Sequence, residues 1–241
     1  MSKQGKLILL PNTLHEDIEH ITKYFPQSVI ETVGNLDGLI AESEKAARRY
    51  MKKFPFPEGK TFRDMPIRTL SEHTKENELD DLLSPLKQGQ VWGLISDAGL
   101  PCLADPGARF TLRARMLGIE VDVGIGPSSI ILALMLSGLG AQKFCFEGYL
   151  PKESEALIFS IKMLQQRSVK EGSTHVFIET PYRCQQMLDA LLSALSDRTW
   201  LSVSMDLSLP SQQVITKRVA EWKKVAKPDL NKKLCVFVFC A

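Results

Sequence analysis

The sequence predicts an α/β protein with largely parallel sheets, divided into two domains, and three observations carry that expectation. Short apolar runs alternate with longer amphipathic segments from end to end, the pattern of strands feeding helices. The 241 residues, 44% of them apolar and with 30 basic against 28 acidic groups, are enough for one large core or two modest ones. The run from Leu234 to Cys240 is apolar at every position, as a strand covered on both faces requires.

Lys6 to Leu10 reads as the first strand, ended by Pro11; four apolar residues before that proline are far short of a secretory signal, which predicts a cytoplasmic protein. Ile18 and Ile21 set a helical period over His15–Tyr24, and Leu39 to Ala41 is a second strand. A helix from about Ser43 to Phe54 carries Lys45, Arg48, Arg49, Lys52 and Lys53, a crowd explained first by a solvated face and only second by an RNA-facing patch. Pro55, Pro57 and Pro66 interrupt every period from Phe54 to Thr69, predicting a long loop able to act as a lid, with Lys60, Arg63 and Arg68 in it. A helix over Glu78–Lys87 leads to a strand at Val91–Ser96, and Asp105-Pro106 reads as an N-cap and first helical residue of a helix stopping at Gly118.

Glu120 to Val123 is the next strand, and the domain boundary is placed there, giving domains 1–121 and 122–241. Val123 to Gln142 has no charged residue and approaches the length of a membrane span, yet only Ile130 to Leu136 is continuously apolar, so a buried helix and no membrane association are expected. The second half continues with strand Phe144–Glu147, helix Glu153–Arg167, strand His175–Glu179 and helix Arg183–Leu195. Strand Trp200–Asp206, a short helix Val219–Val225 and a central strand Leu234–Phe239 complete it.

Net charge is +2, too small to identify a nucleic-acid binder, so an anionic partner has to be met by a local patch. Five cysteines without a C-x-x-C pair support neither a disulfide framework nor a zinc site. His15 and His20 are five apart, whereas two ligands on one helical face need a spacing of four, and no metal site is expected. In Ser96-Asp97-Ala98-Gly99-Leu100-Pro101 an apolar strand runs into an acid, a glycine and a proline, with Asp105-Pro106-Gly107 close behind. That is where open α/β sheets hold small ligands, although a plain strand-to-helix turn explains the same residues. Gly124-Ile125-Gly126-Pro127-Ser128-Ser129 offers backbone groups and two hydroxyls but is not G-x-G-x-x-G, and no G-K-[ST] follows a glycine-rich turn. Dinucleotide and P-loop chemistry are disfavoured, leaving another nucleoside cofactor open.

Taken in order, Ser96 to Pro101, Asp105 to Gly107, Gly126 to Ser129 and Phe144-Cys145-Phe146-Glu147-Gly148-Tyr149-Leu150-Pro151 resemble the ribosomal RNA small-subunit methyltransferase I family of the tetrapyrrole methylase superfamily. Phe177-Ile178-Glu179-Thr180-Pro181-Tyr182-Arg183 resembles the family's F-x-E-[ST]-P-x-R segment. The resemblance implies a two-domain tetrapyrrole methylase-like fold, with a mostly parallel N-terminal sheet, a mixed C-terminal sheet and a cofactor cleft between them. It implies a homodimer, S-adenosylmethionine as cofactor, ribose 2′-O-methylation of small-subunit ribosomal RNA, and no metal. Carried over residue by residue, the cofactor positions are Asp97, Ala98, Gly99, Leu100, Pro101, Asp105, Pro127, Ser128, Ser129, Glu179, Thr180, Met205, Asp206 and Leu207. A ribose hydroxyl acceptor benefits from a general base, for which Glu42, Asp97, Asp105 and Glu179 are the candidates, each also readable as a cap, a loop brace or a surface charge.

The departures lie on the acceptor side. The family's G-N-L is Pro11-Asn12-Thr13-Leu14-His15 here, its A-E-D-T-R is Ala41-Glu42-Ser43-Glu44-Lys45, its R-E-L is Met205-Asp206-Leu207, and its C-terminal K-G-E is Lys232-Lys233-Leu234. The added C-terminal domain of many relatives is not expected, because the chain ends on its strand. A tetrapyrrole, a protein side chain or another small molecule are the alternative acceptors, and a non-catalytic S-adenosylmethionine-binding relative is the alternative from another class.

Overall fold

A parallel sheet with helices on both faces needs strands apolar on both sides, and the short runs of the first half meet that demand. The structure is a computed structural model that describes residues 5–18 and 20–241. The chain divides into two compact units, Met1–Ser128 and Ser129–Ala241. In the first, β1 (Lys6–Leu9), α1 (Gln27–Gly34), β2 (Gly38–Ala41), α2 (Glu44–Met51), β3 (Ile67–Thr69), α3 (Glu76–Leu82), α4 (Ser84–Lys87), β4 (Val91–Leu94), α5 (Gly107–Met116) and β5 (Glu120–Val123) follow one another. The strands form one sheet in the order β3-β2-β4-β1-β5, every pair parallel. Alternation decides the two faces: Leu7, Ile40, Trp92 and Leu94 pack with Leu79, Leu83, Leu86 and Phe110, while Leu10, Leu39 and Ala41 pack with Val29, Val33, Tyr50 and Met51. Because all five strands run the same way, their carboxyl ends open on one edge, where residues 10–14, 42, 70–72, 95–106 and 124–128 lie.

The second unit contains α6 (Ser129–Ser137), β6 (Phe144–Tyr149), α7 (Ser154–Glu171), β7 (Thr174–Glu179), α8 (Cys184–Ala194), β8 (Trp200–Met205), β9 (Gln213–Arg218), α9 (Val219–Trp222) and β10 (Cys235–Cys240). Its sheet has the order β6-β7-β10-β8-β9, with β6 and β7 parallel and the other pairs antiparallel. The wholly apolar β10 is the central strand, as its composition demands. Phe177 and Phe237 stack at 5.5 Å on the face covered by α7 and α8. Trp222, 1% exposed, satisfies its indole by donating to the Leu201 carbonyl at 2.9 Å. No helix among the described residues is long and apolar enough to cross a membrane.

Four differences from the sequence expectations have physical causes. The helix expected over His15–Tyr24 is only a 3₁₀ turn at Ile21–Lys23, and the helix begins after Pro26, which serves as its N-cap; Glu19 lies outside the described residues. The stretch 54–69 is not a structureless lid. Its end is strand β3, paired with β2, and the Arg48 guanidinium donates to the Phe62, Arg63 and Met65 carbonyls at 2.7, 3.1 and 2.8 Å. Proline breaks the periodicity here but does not stop side-chain clamping. Strand β9, polar and at a sheet edge, has no apolar run to announce it. Finally, β5 pairs with β1 from Glu120 to Val123, so the first unit extends past the expected boundary at residues 121/122.

The clamp yields a prediction. Arg48→Met keeps the aliphatic stem but leaves three carbonyls without their donor, and a loss of about 1–3 kcal/mol is expected in denaturant melts. Enhanced proteolysis between residues 55 and 66 would accompany it.

Candidate active site

Asn12 organises the carboxyl edge of the first sheet. It follows β1 through Pro11 and is buried at 8% exposure. Its amide donates to the carbonyls of Ser96 and Asp97 at 2.9 and 3.0 Å, and its backbone N–H donates to the Gly99 carbonyl at 2.7 Å. Its side-chain oxygen accepts from the Thr13 N–H at 2.8 Å. One asparagine thus holds three carbonyls of the Ser96–Pro101 loop, and Ser96 Oγ closes it by donating to the Ala98 carbonyl at 3.0 Å. The sequence marks Asn12 only as one of the acceptor-side departures; an amide immediately after a strand-ending proline is the signal for its bracing role.

The loop's backbone is unusual. Gly99 has φ +70°, and the non-glycine residues Cys102 and Ala104 also lie in the left-handed region at 70° and 61°. Such conformations cost of order 1 kcal/mol each and persist where surrounding contacts over-determine them. A Cβ built on Gly99 would sit 3.4 Å from Leu14 Cδ2 and 3.7 Å from the Pro127 carbonyl, so this glycine faces the turn that follows β5. In that turn Gly126 lies against Pro11, where a Cβ would come within 2.1 Å of the proline ring. The Pro11–Asn12 bend therefore seats both predicted ligand loops. Ser128 is buried, and Ser129 begins α6 in the second unit.

Asp97, Asp105 and Glu42 form an acidic group on this edge. Asp97 is exposed. Asp105 Oδ1 accepts from the Gly107 N–H at 2.6 Å, while Pro106, not Asp105, is the N-cap of α5. Burial pushes the Asp105 carboxyl up, against backbone N–H groups of Gly107, Cys102 and Leu103 that favour its ionised form. Its Oδ2 is buried without a protein hydrogen bond. Glu42, at the end of β2, is held above the usual carboxylate range first by burial and then by the negative charges of Asp97 and Asp105, with the Asp97 N–H acting the other way. A raised folded pKa means that the folded chain binds this proton more tightly than the unfolded one, so ionised Glu42 costs stability at neutral pH and the cost disappears in acid. Glu42→Gln is expected to raise Tm at neutral pH and to leave it unchanged at about pH 4. Thermal melts across pH check this, and a pH-independent shift would contradict it.

In the second unit, Glu179 closes β7 fully buried. Its Oε1 accepts from the Thr180 N–H at 2.7 Å, and Arg183 lies 3.3 Å from Oε2 without hydrogen-bond geometry. Asp206, with φ +50°, ends β8 and accepts from Lys233 at 2.5 Å and Ser211 at 3.1 Å. Met205 and Leu207 are buried on either side. The predicted positions thus gather in two sets: Glu42, Asp97–Pro101, Asp105, Pro127 and Ser128 on one sheet edge, and Glu179, Thr180 and Met205–Leu207 at strand ends of the second unit, with Ser129 opening α6.

Of the basic residues suggested for phosphate, four are spent internally. Arg48 clamps the loop, Arg49 pairs with Glu16, Lys53 donates to the Glu16 carbonyl at 3.0 Å, and Arg68 donates to the Asp81 carbonyl and lies over Trp92. Lys45, Lys52, Lys60 and Arg63 remain exposed.

Comparison with known proteins gives the family and the fold. The chain is 28% identical over 219 residues to the ribosomal RNA small subunit methyltransferase I of Thermotoga maritima, covering 90% of each chain. Among solved structures, cobalt precorrin-4 methyltransferase superposes with a TM-score of 0.63 at 10% identity, covering 100% of this chain and 96% of that one. Diphthine synthase does so at 0.59 and 15%, covering 98% and 89%. A two-unit α/β chain with a parallel and a mixed sheet and a family match over residues 23–223 belongs to the tetrapyrrole (corrin/porphyrin) methylases.

Proposed function

We propose that this chain is a cytoplasmic, homodimeric S-adenosylmethionine-dependent methyltransferase that methylates a ribose 2′-hydroxyl of small-subunit ribosomal RNA. The observation that carries the reading is the end-to-end likeness to a methyltransferase of that name. The residues present fit the cofactor: Asp97 and Asp105 supply negative charge for a cationic sulfonium compound, and Asp105 Oδ2 is a buried carboxylate oxygen without a hydrogen-bond partner. Of the positions that the resemblance implies, Asp97–Pro101, Asp105, Pro127 and Ser128 on the edge of the first sheet would hold it. When bound, it supplies a methyl group to an in-line nucleophile. The chain's own work is to align donor and acceptor and to exclude water, which rigid backbone turns do well.

Among the four carboxylates, Glu42 suits the role of base. Asp105 braces the start of α5, Glu179 braces Thr180, and Asp97 belongs to the loop that Asn12 clamps. A carboxyl raised by burial and neighbouring acids accepts a proton better near neutral pH. Glu42→Gln is expected to lower kcat by about 10²-fold or more with little change in KM for the cofactor. Incubation with methyl-labelled cofactor and separated ribosomal subunits, followed by nucleoside analysis, tests the reading. Label on a soluble tetrapyrrole or a protein moves the acceptor, and stoichiometric cofactor binding without product marks a non-catalytic relative.

Exposed Lys52, Lys60 and Arg63 would meet the phosphates. RNA affinity is then expected to fall steeply with salt, and each charge removed from this group lowers the slope of log K against log salt by about 1. Salt-insensitive binding counts against RNA.

A further inference from the structure

Sheet register builds a second chemical cluster at the end of the second sheet opposite to Glu179. Strand β6 pairs in parallel with β7 so that Cys145 lies beside His175. Cys145 and Glu147, two residues apart, share a face of β6. The thiol, a Glu147 carboxylate oxygen and a ring nitrogen of His175 all lie within 4.8 Å of one another, the one such group among the described residues. His175 is fully buried, with Nδ1 2.8 Å from Glu147 Oε1 and Nε2 3.3 Å from Ser173 Oγ. We propose that Cys145, Glu147 and His175 bind one divalent transition cation of the zinc type.

The donor set argues for that class. One thiolate, one imidazole and one carboxylate match a borderline-soft ion and disfavour calcium or magnesium, which take oxygen ligands. Ligand separations of this size close onto a tetrahedral ion with side-chain adjustments alone. On binding, the Cys145 thiol gives up its proton to solvent. His175 would ligate through Nδ1, leaving its Nε2–H to donate a hydrogen bond to Ser173 Oγ, which orients the ring as an outer partner does at many metal sites. The corner already attracts positive charge: the Arg167 guanidinium lies 3.8 Å from Glu147 and 3.5 Å from Cys145 Sγ. Arg167 is also 3.6 Å from Glu171 on its own helix, so it can withdraw to that carboxylate and leave the fourth coordination position to water.

The site has a structural task in view. β6 is an edge strand, and its pairing with β7 loses register between Phe146 and Tyr149. A cation on Cys145, Glu147 and His175 would tie the edge strand to its neighbour beside that irregularity. Spacing could not have shown it, because His175 stands 28 residues beyond Glu147.

The test uses the full, tag-free chain stripped with chelator and titrated with cobalt(II) alone. One equivalent is expected to bind, giving a thiolate-to-cobalt charge-transfer band and tetrahedral visible bands, both removed by zinc. Cys145→Ser, at a half-buried position, should abolish the charge-transfer band. Glu147→Gln should keep that band but weaken binding by about tenfold or more. Zinc should raise the Tm of the parent chain and leave that of Cys145→Ser unchanged. No charge-transfer band, or one that survives Cys145→Ser and disappears in Cys184→Ser, overturns the proposal.

Discussion

Gly99→Leu leaves the chain folded and lowers affinity for S-adenosylmethionine by about 100-fold or more. The backbone there is left-handed, at φ +70°, which a leucine adopts at a cost of about 1–2 kcal/mol, a tolerable loss for a protein of this size. The added Cβ meets only ordinary contacts, 3.4 Å from Leu14 and 3.7 Å from the Pro127 carbonyl, so the core is not forced apart. The rest of the side chain then lies between the Ser96–Pro101 loop and the Pro127 turn, the two segments proposed to grip the cofactor. Calorimetric titration with the cofactor and its demethylated product measures the affinity, and circular dichroism melts measure the fold. Affinity equal to that of the parent chain would make the loop a structural turn and remove the basis of the proposed site.

Asn12→Ala has the opposite signature, because this side chain shapes the loop without filling the ligand space. Three hydrogen bonds are lost at a buried position, two from its amide and one to its oxygen. The Ser96 and Asp97 carbonyls and the Thr13 N–H are left to find water, at a cost of about 2–4 kcal/mol in total. The left-handed loop beyond them loses the support that makes its strain tolerable. Denaturant melts should show that loss of stability, and cofactor KM should rise by more than kcat falls. Asn12→Asp keeps the acceptor for Thr13 but turns a carboxylate oxygen toward the Ser96 and Asp97 carbonyls, so it should recover none of the stability at neutral pH. Full recovery would assign the effect to the Thr13 contact alone.

Much of the architecture was legible because it depends on local composition. Apolar runs of four to six residues bounded by glycine and proline named most of the strands, and the unbroken apolar stretch at 234–240 placed β10 at the centre of its sheet. The elements missed, β3 at Ile67–Thr69 and β9 at Gln213–Arg218, are edge strands whose pairing comes from a neighbour and not from their own pattern. Helix α1 was displaced because Ile18 and Ile21 are buried in a turn whose burial mimics a helical period.

The turns proposed to hold the cofactor were visible for a related reason: a glycine needed at positive φ and a proline beside it are local requirements, written at Gly99 and Pro101. Residues acting across sequence distance were not visible in the same way. Asn12 reaches a loop 84 and 85 residues away, Arg48 is a clamp and not a phosphate contact, and Glu42 is raised by burial and then by Asp97 and Asp105 only once three strand ends share an edge. By itself, then, the sequence determined the fold class and the family and marked the two turns proposed to hold the cofactor, because propensity and turn chemistry operate within a few residues. Tertiary structure alone decided which charges meet, which arginines are consumed in bracing, and that Cys145, Glu147 and His175 share one corner, because electrostatic and ligand contacts depend on distances that only strand register sets.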